Sequence, residues 1–163
     1  MLDKQTLNEL EEYIQFHMVI EDVVLSEDLR TQEYSVQAES FTIEMEDFIK
    51  NHRQPTLNQV LFRFIDKKGE SDTEIYKKAG IDRRHFSKIR SNPDYRPGKN
   101  TTIALALALQ LNKKDTDSLL SSAGYSLSDS NTFDLIIQYC LEHQIHDMYS
   151  VNLALEHYNQ KTL

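Results

Sequence analysis

The stretch from Ser71 to Ser91, SDTEIYKKAGIDRRHFSKIRS, admits little besides two short helices joined by a tight turn. Ser71 is placed to cap a helix with its hydroxyl, and Glu74, three residues on, can reach back to the capping backbone. Ile75 and Ala79 stand four apart and share the inward face of that first helix. Gly80 supplies a left-handed residue that ends it at low cost. Ile81 then plugs the corner and Asp82 caps the second helix. On the second helix Phe86 and Ile89 point inward at i, i+3. That leaves Arg83, Arg84, Ser87, Lys88 and Arg90 mostly outward.

The surroundings extend the pattern. Phe64-Ile65 stands before Lys67-Lys68-Gly69, Glu74-Ile75 is followed by Lys78-Ala79-Gly80-Ile81, and Phe86-Ser87-Lys88-Ile89 closes the pair. Pro97, the apolar run Ile103 to Leu111, and Leu119-Leu120 up to Ala123-Gly124-Tyr125 continue it. On these residues the segment 56–124 resembles an Xre-type helix-turn-helix domain, the five-helix module of phage repressors and many bacterial regulators. The tail through residue 158 is similar to an extension that some of these proteins carry. The chain is also similar to helical modules of Gram-positive bacteria, some appended to macrodomains, but it contains no macrodomain and nothing about ADP-ribose carries over.

The resemblance implies an all-α fold and a duplex DNA partner, with the second helix of the motif in the major groove. Arg83, Arg84, Ser87 and Lys88 would then meet base edges, arginine being the usual partner of guanine O6 and N7. Lys77, Lys78, Arg90, Arg96 and Lys99 would hold phosphates. A two-fold homodimer on a pseudo-palindromic site is implied as well. The chain departs from the family pattern where Glu70 replaces an apolar residue, Asp72 a frequent Gln, and Tyr76 a frequent Ala. Asp72 puts negative charge where a phosphate would come near, and the bulk of Tyr76 predicts a splayed helix pair. Those departures define the alternative: a non-enzymatic protein-interaction adaptor built on the same scaffold.

Charge is unevenly distributed. The chain carries a formal net charge of −8, but residues 1–50 hold −10, residues 51–100 hold +6 and residues 101–163 hold −4. Confinement of basic charge to the motif third is the footprint expected of a polyanion-binding face. Charged faces of polar helices give the same signature without any ligand. Only four Gly and three Pro in 163 residues argue against a β-rich fold with many tight turns. The lone cysteine, Cys140, excludes an internal disulfide and fits a reducing cytosol. It lies in an apolar helical run, which predicts a buried structural thiol. With no signal-like N-terminus and no long apolar run, the expectation is a cytoplasmic protein with no membrane contact.

Three segments follow: an acidic extension over 1–52, the helix-turn-helix domain over 55–125, and a helical pair over 126–163. In the first, Leu7, Leu10 and Ile14 predict an amphipathic helix over 3–20, widened by Tyr13 and Phe16. The pattern fails from Glu21 to Tyr34, which reads as a linker or short extended piece. A second acidic helix, 36–51, carries Phe41, Met45, Phe48 and Ile49. Such stripes need burial against the same chain, a dimer partner or another protein. A third possibility is that the acidic arm covers the basic face until displaced.

Pro55-Thr56 starts the next helix, which buries Leu57, Val60, Leu61 and Phe64 and ends at Gly69. The loop 92–100 is stiffened by Pro93 and Pro97, and the domain-packing reading of Tyr95 outweighs one in which it contacts a ligand. Residues 101–111 alternate Ala and Leu like a strand, but both are strong helix formers and Asn100-Thr101 offers a cap, so a central core helix is expected. A further helix covers 114–123. In the C-terminal segment, Phe133, Ile136, Ile137, Cys140 and Leu141 form one stripe, and Val151 and Leu155 another with Met148. That pair would pack on the preceding helix, on the N-terminal helices, or on a dimer partner.

His143 and His146, three apart beside Glu142 and Asp147, allow a metal reading. They fall at a helix end, where His complements the dipole, and no third ligand has a defined spacing. There is no Gly-rich phosphate loop, HExxH or nucleophile elbow, so neither enzymatic activity nor a cofactor is expected.

Overall fold

The computed structural model describes the backbone of residues 4–163 and the side chains of residues 4–16 and 32–163. Among the described residues the chain is all-helical, with eight helices and no strand. It divides into two compact units, Met1–Arg53 and Gln54–Leu163.

The first unit is one helix, α1, Lys4–His52. It replaces the two helices and intervening linker that the periodicity predicted. The reason lies in the absence of breakers: no Gly or Pro occurs before Pro55, and a failed apolar stripe does not by itself end a helix. The side chains of Glu21–Thr31 lie outside the described residues. Every described side chain of α1 is exposed, including Leu7, Leu10, Ile14, Phe41 and Phe48.

The second unit contains α2 (Leu57–Lys68), α3 (Asp72–Lys78), α4 (Arg83–Ser91), α5 (Lys99–Ala108), α6 (Lys113–Ser122), α7 (Thr132–Glu142) and α8 (Met148–His157). Helix α2 opens on a capping box. Thr56 accepts from the Gln59 backbone while Gln59 accepts from the Thr56 backbone. Its buried face is Leu57, Leu61 and Ile65, with Val60, Phe62 and Phe64 only partly covered.

Helix α5 is the wall between two cores. Thr102 through Leu109 are all buried, as an apolar-all-round helix must be. Ala104, Leu105 and Ala108 face a core completed by Leu61, Ile75, Phe86, Ile89 and Leu119. Ile103 and Leu107 face a second core with Leu120, Ile137, Cys140, Leu141, Val151 and Leu155. The α7–α8 pair therefore packs on α5 and α6. The start of α5 differs from expectation: Gly98 is the N-cap and makes no side-chain cap bond, so Asn100 and Thr101 lie inside the first turn. Pro97 and Gly98 end the loop two residues earlier than the capping residues suggested.

Cys140 is 1% exposed and free. Burial pushes its thiol pKa up, and the Asp147 carboxylate adds to the effect. No helix among the described residues is long and apolar enough to cross a membrane.

Candidate nucleic-acid interface

Local chemistry fixes the α3–α4 corner. Ser71 accepts from the Glu74 backbone and Glu74 from the Ser71 backbone, so the expected capping box is complete. At the other end of α3, Ile81 N–H donates to Tyr76 O at 2.9 Å and Gly80 N–H to Lys77 O at 3.2 Å. That pair of bonds is a Schellman turn, and it places Gly80 at φ +67°. A Cβ there would meet nothing within 4 Å, so the demand for glycine is conformational and not steric. Asp82 Oδ1 then accepts from Arg84 N at 3.0 Å and starts α4.

Two groups outside the motif hold α4 in place. Asn58, on α2, donates from Nδ2 to Ile89 O at 2.7 Å and Arg90 O at 3.3 Å, satisfying carbonyls in the last turn of α4. Nothing in the sequence distinguished Asn58 from any other polar residue in a first helical turn. Tyr95 anchors the following loop. Its hydroxyl lies 3.2 Å from His85 Nε2, and Lys88 Nζ sits 4.4 Å above its ring. Tyr95 is thus half-buried packing on the domain. Tyr76 is also partly buried, its ring centroid 5.6 Å from that of Phe86.

The nine sequence-predicted contact residues separate into two sets. Four have their charge engaged within the second unit. Arg90 Nη1 lies 2.7 Å from Asp72 Oδ2, and its guanidinium carbon is 4.5 Å from the Phe62 ring centroid. Lys78 Nζ is 2.9 Å from Glu70. Arg96 donates to Ala123 O at 3.2 Å and lies over the Tyr125 ring. Lys99 Nζ is 2.7 Å from Asp134, whose carboxylate is buried and also accepts from Ser128 N–H. Through these pairings Arg96 ties the loop 92–98 to the end of α6, Lys99 ties the start of α5 to the first turn of α7, Arg90 ties α4 to α3, and Lys78 closes on Glu70 just before α3. Sequence spacing could not disclose them, because the acids involved lie on other elements.

The other set stays at the surface. Arg83, Arg84, Ser87, Lys88 and Lys77 are all exposed, and none of their cations has an ion pair among the described residues. Arg83 and Arg84 occupy the first two positions of α4. A helix N-terminus carries partial positive charge, so two arginines there are placed against the local field. The Asp72 carboxylate, for its part, is partly neutralised by Arg90.

The two histidines considered for metal are each occupied by a backbone carbonyl. His143 Nδ1 donates to Tyr139 O at 2.9 Å, and His146 Nε2 to Leu111 O at 3.2 Å. No group of three or more potential ligands occurs among the described residues. No family model matches the chain, and no curated protein or solved structure matches it significantly.

Proposed function

We propose that the chain is a non-enzymatic, cytoplasmic DNA-binding regulator in which α2–α6 adopt an Xre-like arrangement and the outer face of α4 enters the major groove of duplex DNA. One observation carries the reading: Arg83 and Arg84 are exposed, unpaired among the described residues, and sited where their charge opposes the helix dipole. Placement against local stability is what a ligand-facing residue accepts. Ser87 and Lys88 follow on the same helix, and Lys77 on α3 extends the basic face. Of the remaining basic residues, Arg90 holds α4 against Asp72, Arg96 holds the loop after α4 against Ala123, Lys99 holds the start of α5 against Asp134, and Lys78 pairs with Glu70 beside α3.

The test is selection from random duplex oligonucleotides with the full chain, followed by binding of the selected DNA by an Arg84→Glu/Lys88→Glu variant. Affinity should fall steeply with salt, and the variant should lose retardation of the DNA. Retention of full binding by the double variant refutes the reading.

The adaptor reading draws on a different feature, a groove between α2 and α6 lined by Val60 and Phe64 together with Arg63, Lys114 and a Lys113–Asp117 ion pair. Failure to enrich any duplex, together with binding of an acidic amphipathic peptide that an Arg63→Glu variant loses, would favour it.

A further inference from the structure

Among its described side chains, helix α1 exposes an apolar face over its C-terminal part, and its sequence specifies what fits there. Over the C-terminal part of the helix, Tyr34, Ala38, Phe41, Met45 and Phe48 are spaced four, three, four and three residues apart. All five are exposed, Tyr34 at 74%, Phe41 at 61% and Phe48 at 59%. Alternating steps of three and four mark the seam of a left-handed coiled coil, with Ala38 and Met45 at one core position and Tyr34, Phe41 and Phe48 at the other. The phase is interrupted upstream in the sequence by Thr31, Glu27 and His17, so the seam is confined to residues 34–48. Most of a helix's stability in a protein comes from packing its apolar face, so an exposed seam of this kind calls for another helix.

The flanking charges decide which helix. Beside the seam stand Ser35, Gln37, Thr42, Glu44, Ile49 and Asn51, a set with one charge. The acids Glu39, Glu46 and Asp47 lie behind it. A basic partner helix would be selected by acids at the flanks, and those positions are nearly neutral. A second copy of the same helix, by contrast, meets no repulsion there. In parallel pairing Gln37 faces Thr42 of the second copy, and Glu44 faces its Ile49.

We infer that residues 34–48 of α1 form the dimerisation seam of this protein, pairing in parallel with the same residues of a second copy. Val36 and Ile43 lie on the opposite side of the helix and take no part. The seam is distinct from the α7–α8 pair, and the inference does not depend on DNA binding.

Sedimentation equilibrium of the full chain tests it, across low to high micromolar concentration, with three variants. The unaltered chain should be a dimer. Phe41→Glu/Phe48→Glu should raise the dissociation constant at least about 100-fold, the scale expected when two buried aromatics are lost from each helix. Val36→Glu/Ile43→Glu should leave the dimer intact. Ala38→Cys should form an intermolecular disulfide on mild oxidation, since parallel pairing puts position 38 beside itself. A monomer at every concentration overturns the inference, as does equal dissociation by both glutamate pairs. A dimer in which the Ala38→Cys variant does not cross-link overturns the parallel register.

Discussion

Removing the charge of Arg83 and Arg84 should make this protein more stable and, on the proposed function, a poorer DNA binder. Both residues lie in the first turn of α4, where the helix presents about +0.5 of an elementary charge. Each cation in such a place costs about 0.3–1 kcal/mol at low ionic strength. Neither has an ion pair among the described residues, so neutralisation forfeits only the longer-range attraction of the Asp82 N-cap carboxylate, which trims the gain. Glutamine matches arginine in helix propensity, which isolates the charge. The Arg83→Gln/Arg84→Gln variant should therefore gain at most about 0.6–2 kcal/mol at low salt. In a domain of about 100 residues that raises the melting temperature by several degrees. At physiological ionic strength the gain should shrink, because charges at this surface are screened over about 8 Å. Denaturant titration followed by circular dichroism at low and high salt reads the stability. Titration of the selected duplex should show affinity lower by about 1–3 kcal/mol for each lost base contact. A variant less stable than the parent would mean that the arginines serve the fold, and the reasoning from the helix dipole would fail.

Lys99→Met should destabilise the second unit by about 3–5 kcal/mol, because it leaves a buried Asp134 carboxylate without its cation, whereas Lys99→Met/Asp134→Leu should recover most of that loss; urea denaturation of both variants checks the pair. Gln144 ends α7 at φ +57° and is exposed, so Gln144→Gly should add about 0.5–1 kcal/mol by removing a left-handed strain, read from the shift in urea midpoint. The folded-state pKa of Cys140 is raised above its unfolded value, so its contribution to stability is whole below the unfolded pKa and is lost as pH rises from there through the folded one. Cys140→Ser should flatten that alkaline fall in a pH series of melting temperatures. Deleting residues 1–50 removes a net charge of −10, which should tighten binding to a single half-site duplex by electrostatics while weakening binding to a two-half-site duplex through loss of the α1 seam; band-shift titration with both duplexes separates the effects.

The α3–α4 corner was legible because each of its determinants is local. A capping box, a Schellman glycine and an N-cap aspartate act within five residues of themselves, and Ser71, Gly80 and Asp82 all do what their spacing predicts. The Ala/Leu run of α5 was legible for a related reason, since helix propensity outweighs an accidental alternation. Two things escaped. The continuity of α1 through Glu21–Tyr34 was hidden because an apolar stripe reports which residues face a partner and not whether the backbone stays helical. Absence of Gly and Pro was the signal that should have prevailed. The destinations of Arg90, Arg96 and Lys99 were hidden because a long side chain pairs with whatever the tertiary fold brings near. Asp72, Ala123 and Asp134 lie 18, 27 and 35 residues away.

Those pairings change what a count of basic residues means. Six lysines and arginines between Arg83 and Lys99 look like one electrostatic surface in the sequence. In the folded chain Arg90 joins α4 to α3, Arg96 joins the loop after α4 to the end of α6, Lys99 joins the start of α5 to α7, and Asn58 adds a tie from α2 to α4. Ties of this kind restrict the rotation and slide of α4, and a restricted helix loses little entropy when it enters a groove. Charge spent on positioning is thus not withdrawn from binding. On the proposed function it determines where the charges of Arg83 and Arg84, and of Lys88 over the Tyr95 ring, stand, and a shift of one ångström at such contacts would matter more than an additional distant cation.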